Sequence, residues 1–208
     1  ALTDPDGFRV NLETIAKDVG AFMDRSVATG RELDAEGVLD WWRRARMEML
    51  EGARGIDPST RIPWYGPPMS PASFVSARQM ETWAHGQDVA DTLGIDRDNT
   101  ARIRNVAHIG VLSRKHSYVN RGLAVPEEPV LVELKSPDGE TWTWGDGAEN
   151  IKGSAVDFCL VVTQRRHPHD TRLEMDGPHA REWMSIAQAY AGPPGPGRKP
   201  GQFVTKPL

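Results

Sequence analysis

Residues 63–94, PWYGPPMSPASFVSARQMETWAHGQDVADTLG, constrain the fold more than any other stretch of the chain. Pro63, Pro67, Pro68 and Pro71 crowd around Gly66. Each proline removes a backbone donor and disfavours helical backbone just before it, so whatever precedes them ends there. Ser70-Pro71 then reads as an N-cap followed by proline at the first helical position, where the missing N–H does no harm. Nothing interrupts the pattern from there to Leu93, and Gly94 supplies the stop. The expectation is one helix of about six turns.

On such a helix Phe74, Ala77, Glu81, Ala84, His85 and Asp88 share a face, with Met80, Trp83 and Ala90 as an apolar stripe beside it. A surface helix sets its charges opposite its bulky apolar residues. Here two carboxylates and an imidazole stand among small alanines that leave room above them. Glu81 and His85, one turn apart, can reach a common cation from the same side, and Asp88 can orient the imidazole. The plain alternative is a solvated Glu–His pair of the kind many exposed helices carry. What favours the metal is an inward polar face on a helix of a bundle, where facing helices supply ligands.

The rest of the chain reads as α+β. Phe8 to Thr29 has helical spacing, with Leu12, Ile15, Val19, Phe22 and Met23 on one side and Gly30 as the stop. Asp34 caps a second helix to about Ala53, whose core side is Val38, Trp41, Trp42, Ala45, Met49 and Leu50. Asn99-Thr100 opens a further helix ending at Gly122, with His108 among its apolar residues. That histidine reads first as a packing residue and second as a third ligand or acid/base facing Glu81. Trp64 and Tyr65 either line a substrate site or plug the end of a bundle.

At Leu123 the composition changes. Val130 to Lys135 and Thr141 to Trp144 alternate as strands around Pro137-Asp138-Gly139, a hairpin, and GDGAENIKGS follows as loop and short strand. Ser154 caps an apolar helix from Ala155 to Gln164, which carries Cys159 and ends in Arg165-Arg166. Leu173 to Met175 is a short strand, and Pro178 to Tyr190 a last helix. The final GPPGPGRKPGQFVTKPL reads as an extended or disordered tail. The division is thus 1–122 helical, 129–191 small α/β, and 192–208 tail.

Charge and cysteine usage narrow the function. A net charge of -4 over 208 residues gives no footprint for nucleic acid or an anionic membrane surface. The one cysteine, Cys159, excludes an internal disulfide framework and fits a reducing, cytoplasmic compartment. It lies in the apolar run DFCLVV and reads as packing. No apolar run is long enough to span a bilayer.

The string WYGPPMSPASFVSARQMETWAHGQDVADTLG resembles the metal helix of the DinB-like proteins, in their mycothiol-dependent maleylpyruvate isomerase branch. The likeness extends, more weakly, through RIRNVAHIGV and GSAVDFCLVVTQRR, and so covers most of the chain. It implies a helical bundle holding one divalent metal on three ligands, of which Glu81 and His85 match two. The third in that family is a histidine near the start of its second helix. No histidine precedes His85 here, so the resemblance places the third ligand, and the family's first helix, upstream of Ala1. It also implies a C-terminal module of sterol-carrier type, with Arg165 or, one residue on, Arg166 binding substrate or thiol. The bare reading of those arginines is a pair satisfying a helix C-terminus.

The function so implied is a metal-dependent isomerase or S-transferase using mycothiol or another small thiol, with zinc as the favoured metal. Its partners are a small-molecule substrate or thiol, and a second copy or partner chain covers the apolar groove a missing helix leaves. The rival is a non-catalytic protein that encloses a small molecule or lipid and keeps a structural or degenerate metal helix.

Overall fold

Asp4 starts the first helix: its carboxylate accepts from Gly7 N at 2.9 Å, Pro5 takes the first helical position, and α1 runs Pro5–Lys17. The computed structural model describes residues 1–65 and 68–203, without the side chains of Ala16, Val19, Met23 and Ser26. Gly66, Pro67 and the last five residues of the tail lie outside the described residues. The chain divides into two units, Ala1–Val75 and Ser76–Leu208.

In the first unit the single helix expected over Phe8–Thr29 is two. Asp18 is extended (φ -156°) and its carboxylate accepts from Ala21 N at 2.8 Å, so α2 starts afresh at Val19 and runs to Arg31. No proline marks the break, and Gly20 lies inside the first turn of α2. A short carboxylate bonding the next turn's N–H competes with helix continuation at its own position. On the expected apolar face Ile15 is buried and Leu12 and Phe22 half-buried, while Val19 and Met23 lie outside the described side chains.

Asp34 caps α3, Ala35–Ala53, as its sequence indicates, with Gly37 N donating to the carboxylate at 2.8 Å. The expected core side does not form a core. No residue of α3 is buried, and Trp41 and Trp42 are 41% and 45% exposed. An apolar stripe is buried only where a second surface lies on it, and among the described residues none covers this one; Arg46 partly shields Trp42, 4.9 Å above its ring. Further on, Ile62 and Met69 exchange two backbone hydrogen bonds, closing the proline-rich loop between them. Phe8, Trp64, Tyr65 and Phe74 form an aromatic cluster with centroids 4.6–6.0 Å apart.

The long helix α4, Pro71–Leu93, leads from the first unit into the second. Ser70 Oγ accepts from Ser73 N at 3.2 Å, and Gly94 ends the helix at φ +65° with Ile95 N bonded to Ala90 O. These are the cap and the stop that the sequence announces.

In the second unit, a 3₁₀ turn at Ala101–Ile103 leads into α5, Arg104–Leu112, and then α6, Arg114–Val119. The helix expected as one piece is interrupted at Ser113, whose Oγ bonds Gly110 O at 2.8 Å. Strands β1, Val130–Lys135, β2, Thr141–Trp144, β3, Glu149–Ser154, and β4, Glu174–Asp176, form one mixed sheet in the order β2-β1-β3-β4, with β3 parallel to β1. To reach the far side of β1 the chain passes beneath its start, and a Cβ at Gly147 would meet Pro129 O at 1.9 Å. Only glycine fits there.

Helices α7, Ala155–Val162, and α8, Pro178–Ile186, pack on the sheet. The last helix stops short of Tyr190 because Ala187 turns extended (ψ 133°). The core is Val132, Leu134 and Ile151 from the sheet, Phe158 and Val162 from α7, Trp183 and Met184 from α8, and Val106 and Ala107 from α5. Gly110 lets α5 approach α7, since a Cβ there would meet Val162 Cγ2 at 2.7 Å. Cys159 is fully buried, and burial pushes its thiol well above the ordinary range. Such a thiol packs and does not react.

The tail departs from expectation. Through residue 203 it is tied down: Gly192 O accepts from Asn120 and Gln188, Gly195 O from Arg121, and Gly201 N donates to Asp170. The tail has few large apolar side chains to pack, but the backbone groups of its glycines find partners on the folded unit.

Candidate functional site

Two arginines fan out from one strained turn. After α7, Gln164 takes the left-handed conformation (φ +59°), the only non-glycine residue to do so among those described. That conformation costs about 1 kcal/mol in a residue with a Cβ. It is held by the Gln164 side chain, whose Nε2 donates to Ala187 O at 3.1 Å and whose Oε1 accepts from Tyr190 OH. The turn then lets Arg165 N and Arg166 N both bond Leu160 O, and aims the two side chains at successive carboxylates of α4.

Arg165 grips Asp88: Nε reaches Oδ1 at 3.2 Å and Nη2 reaches Oδ2 at 2.7 Å, while Nη1 donates to Thr163 O. Arg166 grips Asp91 with two bonds of 2.7 Å, and Gln87 Nε2 adds a third at 2.9 Å. Arg198, from the tail, reaches Asp88 Oδ1 at 3.1 Å. Both Arg166 and Arg198 lie over the Phe203 ring.

Beside the first of these pairs stands His85. Its Nε2 is 3.5 Å from Glu81 Oε2, its Nδ1 3.3 Å from Asp88 Oδ2, and Arg165 Nη2 lies 3.4 Å from the same Nδ1. The imidazole is not inward: its side chain is 70% exposed, against 33% for Glu81 and Asp88. The Glu81 hydrogen bond raises His85 above the ordinary imidazole range, opposed by burial and by Arg165. The same bond holds Glu81 below the usual carboxylate range against the pull of burial. For Asp88, burial pushes upward, but the bond and charge of Arg165, with Arg198 and His85, outweigh it and hold the carboxyl low. Glu81, His85 and Arg165 border a cavity of about 300 Å³, whose other walls are Met80, Ala84, Thr163, Tyr190 and Ala191; Asp88 lies behind them, bonded to Arg165.

The sequence-derived residues thus separate. Glu81, His85 and Arg165 come together on one pocket, with Asp88 touching both His85 and Arg165. Arg166 sits a turn further on, on Asp91. His108 does not face Glu81: it is exposed in a different pocket, where Trp144 Nε1 donates to its Nδ1 at 3.2 Å. Trp64 and Tyr65 belong to the aromatic cluster of the first unit. Thr163, Tyr190 and Arg198 were not singled out by sequence. Tyr190 lies past the end of a helix, and Arg198 lies in a tail whose composition promised nothing.

The donor set fits part of a metal centre. Glu81 and His85 offer one oxygen and one nitrogen from the same side of α4. Without a metal, Nε2–H faces Glu81; with a metal bound, a neutral ring keeping its proton on Nδ1 toward Asp88 would offer Nε2 on the Glu81 side, as a carboxylate-oriented metal ligand does. Among the described residues no group of three His, Cys, Asp or Glu is disposed to hold a metal. Nor, among them, is any helix long and apolar enough to cross a membrane.

Comparison with known proteins gives two family matches. Residues 1–90 match the mycothiol maleylpyruvate isomerase N-terminal domain, and residues 126–175 match a family described as wyosine base formation. Two uncharacterised proteins, one from each of two strains of Mycobacterium tuberculosis, are each 43% identical over 200 residues, 95% of this chain and 78% of the relative. No solved structure matches. Residues 1–90 thus belong to the mycothiol maleylpyruvate isomerase N-terminal domain family, and the near full-length likeness shows that the chain belongs to one family with these mycobacterial proteins.

Proposed function

We propose that the chain is part of a thiol-dependent isomerase or S-transferase in which Glu81 and His85 hold a divalent metal, zinc being favoured. The observation that carries this is the junction of Glu81, His85 and Arg165 on one small pocket, with Asp88 tying His85 and Arg165 together. When bound there, the metal would supply Lewis acidity that lowers the pKa of a coordinated thiol, mycothiol or a relative of it. Asp88 would keep the proton on His85 Nδ1, leaving Nε2 free to ligate. Arg165 is fixed by Asp88 and Thr163 and presents a positive charge to an anionic group of substrate or thiol. Met80, Ala84 and Ala191 would give a bound thiol an apolar wall to lie against. Arg166, spent on Asp91 and 10% exposed, is the lesser candidate for that role.

Within the same proposal, residues 129–191 are read as a sterol-carrier-type module; its support is a four-stranded mixed sheet with α7 and α8 packed on it. The test is elemental analysis of protein purified without chelator. Glu81→Ala and His85→Ala should each lose the metal while keeping wild-type helical circular dichroism. Full metal content in both variants would overturn the assignment, and no metal in the wild type would leave the binding-protein reading in its place.

A further inference from the structure

We infer that the second unit carries another binding site, independent of the Glu81–His85 pocket and of its metal, which takes a small planar aromatic anion. The site is a cavity of about 250 Å³ lined by Arg104, Asn105, His108 and Trp144. It brings the start of α5 against the end of β2. Three kinds of recognition meet in it: an indole face to stack on, a guanidinium for negative charge, and directed hydrogen-bonding groups.

Each polar group is held by a bond that leaves its remaining function free. Trp144 Nε1 is a donor only, so His108 Nδ1 accepts from it at 3.2 Å, and in the neutral ring the proton is on Nε2, as an outward donor. Asn105 gives one of its two amide hydrogens to Gln79 Oε1 at 2.9 Å, and Gln79 is itself held to Arg102 O, so the Asn105 carbonyl oxygen remains an acceptor. Arg104 lies 6.0 Å over the Trp142 ring, and Trp142 meets Trp144 edge-on at 6.5 Å. Among the described residues no carboxylate pairs with Arg104, whereas Arg165 and Arg166 each hold one. An exposed guanidinium set beside an indole, without a counter-charge, favours an anion whose ring can stack while its charged group meets the cation. The volume seats an aromatic ring beside the guanidinium, and the exposed rim leaves the rest of a ligand in solvent.

The shared chemistry is an aromatic anion, and two sources offer it: a nucleoside monophosphate and an aromatic carboxylate. Isothermal titration of the full chain with AMP and with benzoate separates them. Binding of AMP alone assigns the nucleotide, binding of benzoate alone assigns the carboxylate, and either carries the proposal. Arg104→Gln should weaken the bound probe at least tenfold, and Asn105→Ala should weaken it less; both are surface changes that spare the core. Arg165→Gln should leave the affinity as it is. No binding of either probe at about 10 mM, where even a 1 mM complex saturates, would overturn the inference. So would affinity lost on Arg165→Gln but kept on Arg104→Gln. The proposed metal function stands or falls separately, on metal content.

Discussion

Two carboxylates of α4, three residues apart, meet two consecutive arginines from the turn after α7, yet the pairs differ. Asp91 and Arg166 are 8% and 10% exposed, joined by two bonds of 2.7 Å, and closed over by Phe203. Asp88 and Arg165 are 33% and 14% exposed and share their bonds with His85, Thr163 and Arg198 at the edge of a pocket. Identical chemistry therefore serves two ends. The closed pair is structural, since neither partner has a surface left for a ligand. The open pair has neighbours it can exchange.

The sharpest way to break this comparison is to remove one charge from the closed pair. Asp91→Asn leaves the Arg166 guanidinium buried without its anion, and breaking such a pair costs about 3–5 kcal/mol. Chemical denaturation should show this as a lowered midpoint with an unchanged slope. A loss below about 1 kcal/mol would mean that Arg166 finds solvent and that the pair is not closed. The same logic gives a pH dependence. Burial pushes the Asp91 carboxyl up, but the Arg166 and Gln87 bonds and the Arg166 charge outweigh it and hold it low. A carboxyl depressed on folding contributes stability that is fully present above the unfolded value of about 3.9 and is lost as pH falls through the folded one. Asp91→Asn should flatten that acid limb. An unchanged acid limb would show that other carboxyls govern it.

A smaller effect is expected at the turn that aims both arginines. Gln164→Gly removes the left-handed strain but also the bonds to Ala187 O and Tyr190 OH. The two contributions are each about 1 kcal/mol and opposite in sign, so stability should change by less than about 1 kcal/mol. Crystallography of the variant should still find Arg166 on Asp91, because two strong bonds hold it, and Arg165 less ordered. Both arginines unmoved would show that the turn does not position them.

These pairs also mark how far the sequence could be read. The ends of α4, α3 and α7 were legible because Ser70, Asp34 and Ser154 cap locally and Gly94 stops locally. The hairpin was legible from alternation, and its inward residues Val130, Val132 and Leu134 are the buried ones. The breaks at Asp18 and Ser113 were not, since each depends on a side chain bonding backbone where propensity alone allows a helix. Within the site, Glu81, His85 and Asp88 share a helix face that spacing alone reveals. Arg165 was reached only through family resemblance, because 77 residues separate it from Asp88 and nothing local joins them. Tyr190 and Arg198 had no signal of either kind. His108 was misplaced because helical spacing says which residues share a face, not what lies opposite it.

The smallest effect on stability belongs to the open pair, and it separates the two halves of the comparison most cleanly. Asp88→Asn removes a carboxylate that is one-third exposed, so water can take over much of its role toward Arg165 and Arg198. Exposed and partly exposed ion pairs contribute about 0.2–1 kcal/mol, and the loss in a denaturation experiment should fall in that range. The proposed site, by contrast, should respond strongly. Without the Asp88 carboxylate the proton on His85 Nδ1 loses its anchor, and loss of such an orienting partner weakens metal binding about 10–100-fold. A competition assay with a chelating dye, run on wild type and Asp88→Asn, measures that ratio directly. Little change in stability with a tenfold or greater loss of metal affinity would place Asp88 in the site. A large loss of stability with metal affinity unchanged would instead make Asp88 a second structural tie, the open counterpart of Asp91, and the contrast between the two pairs would be one of exposure only.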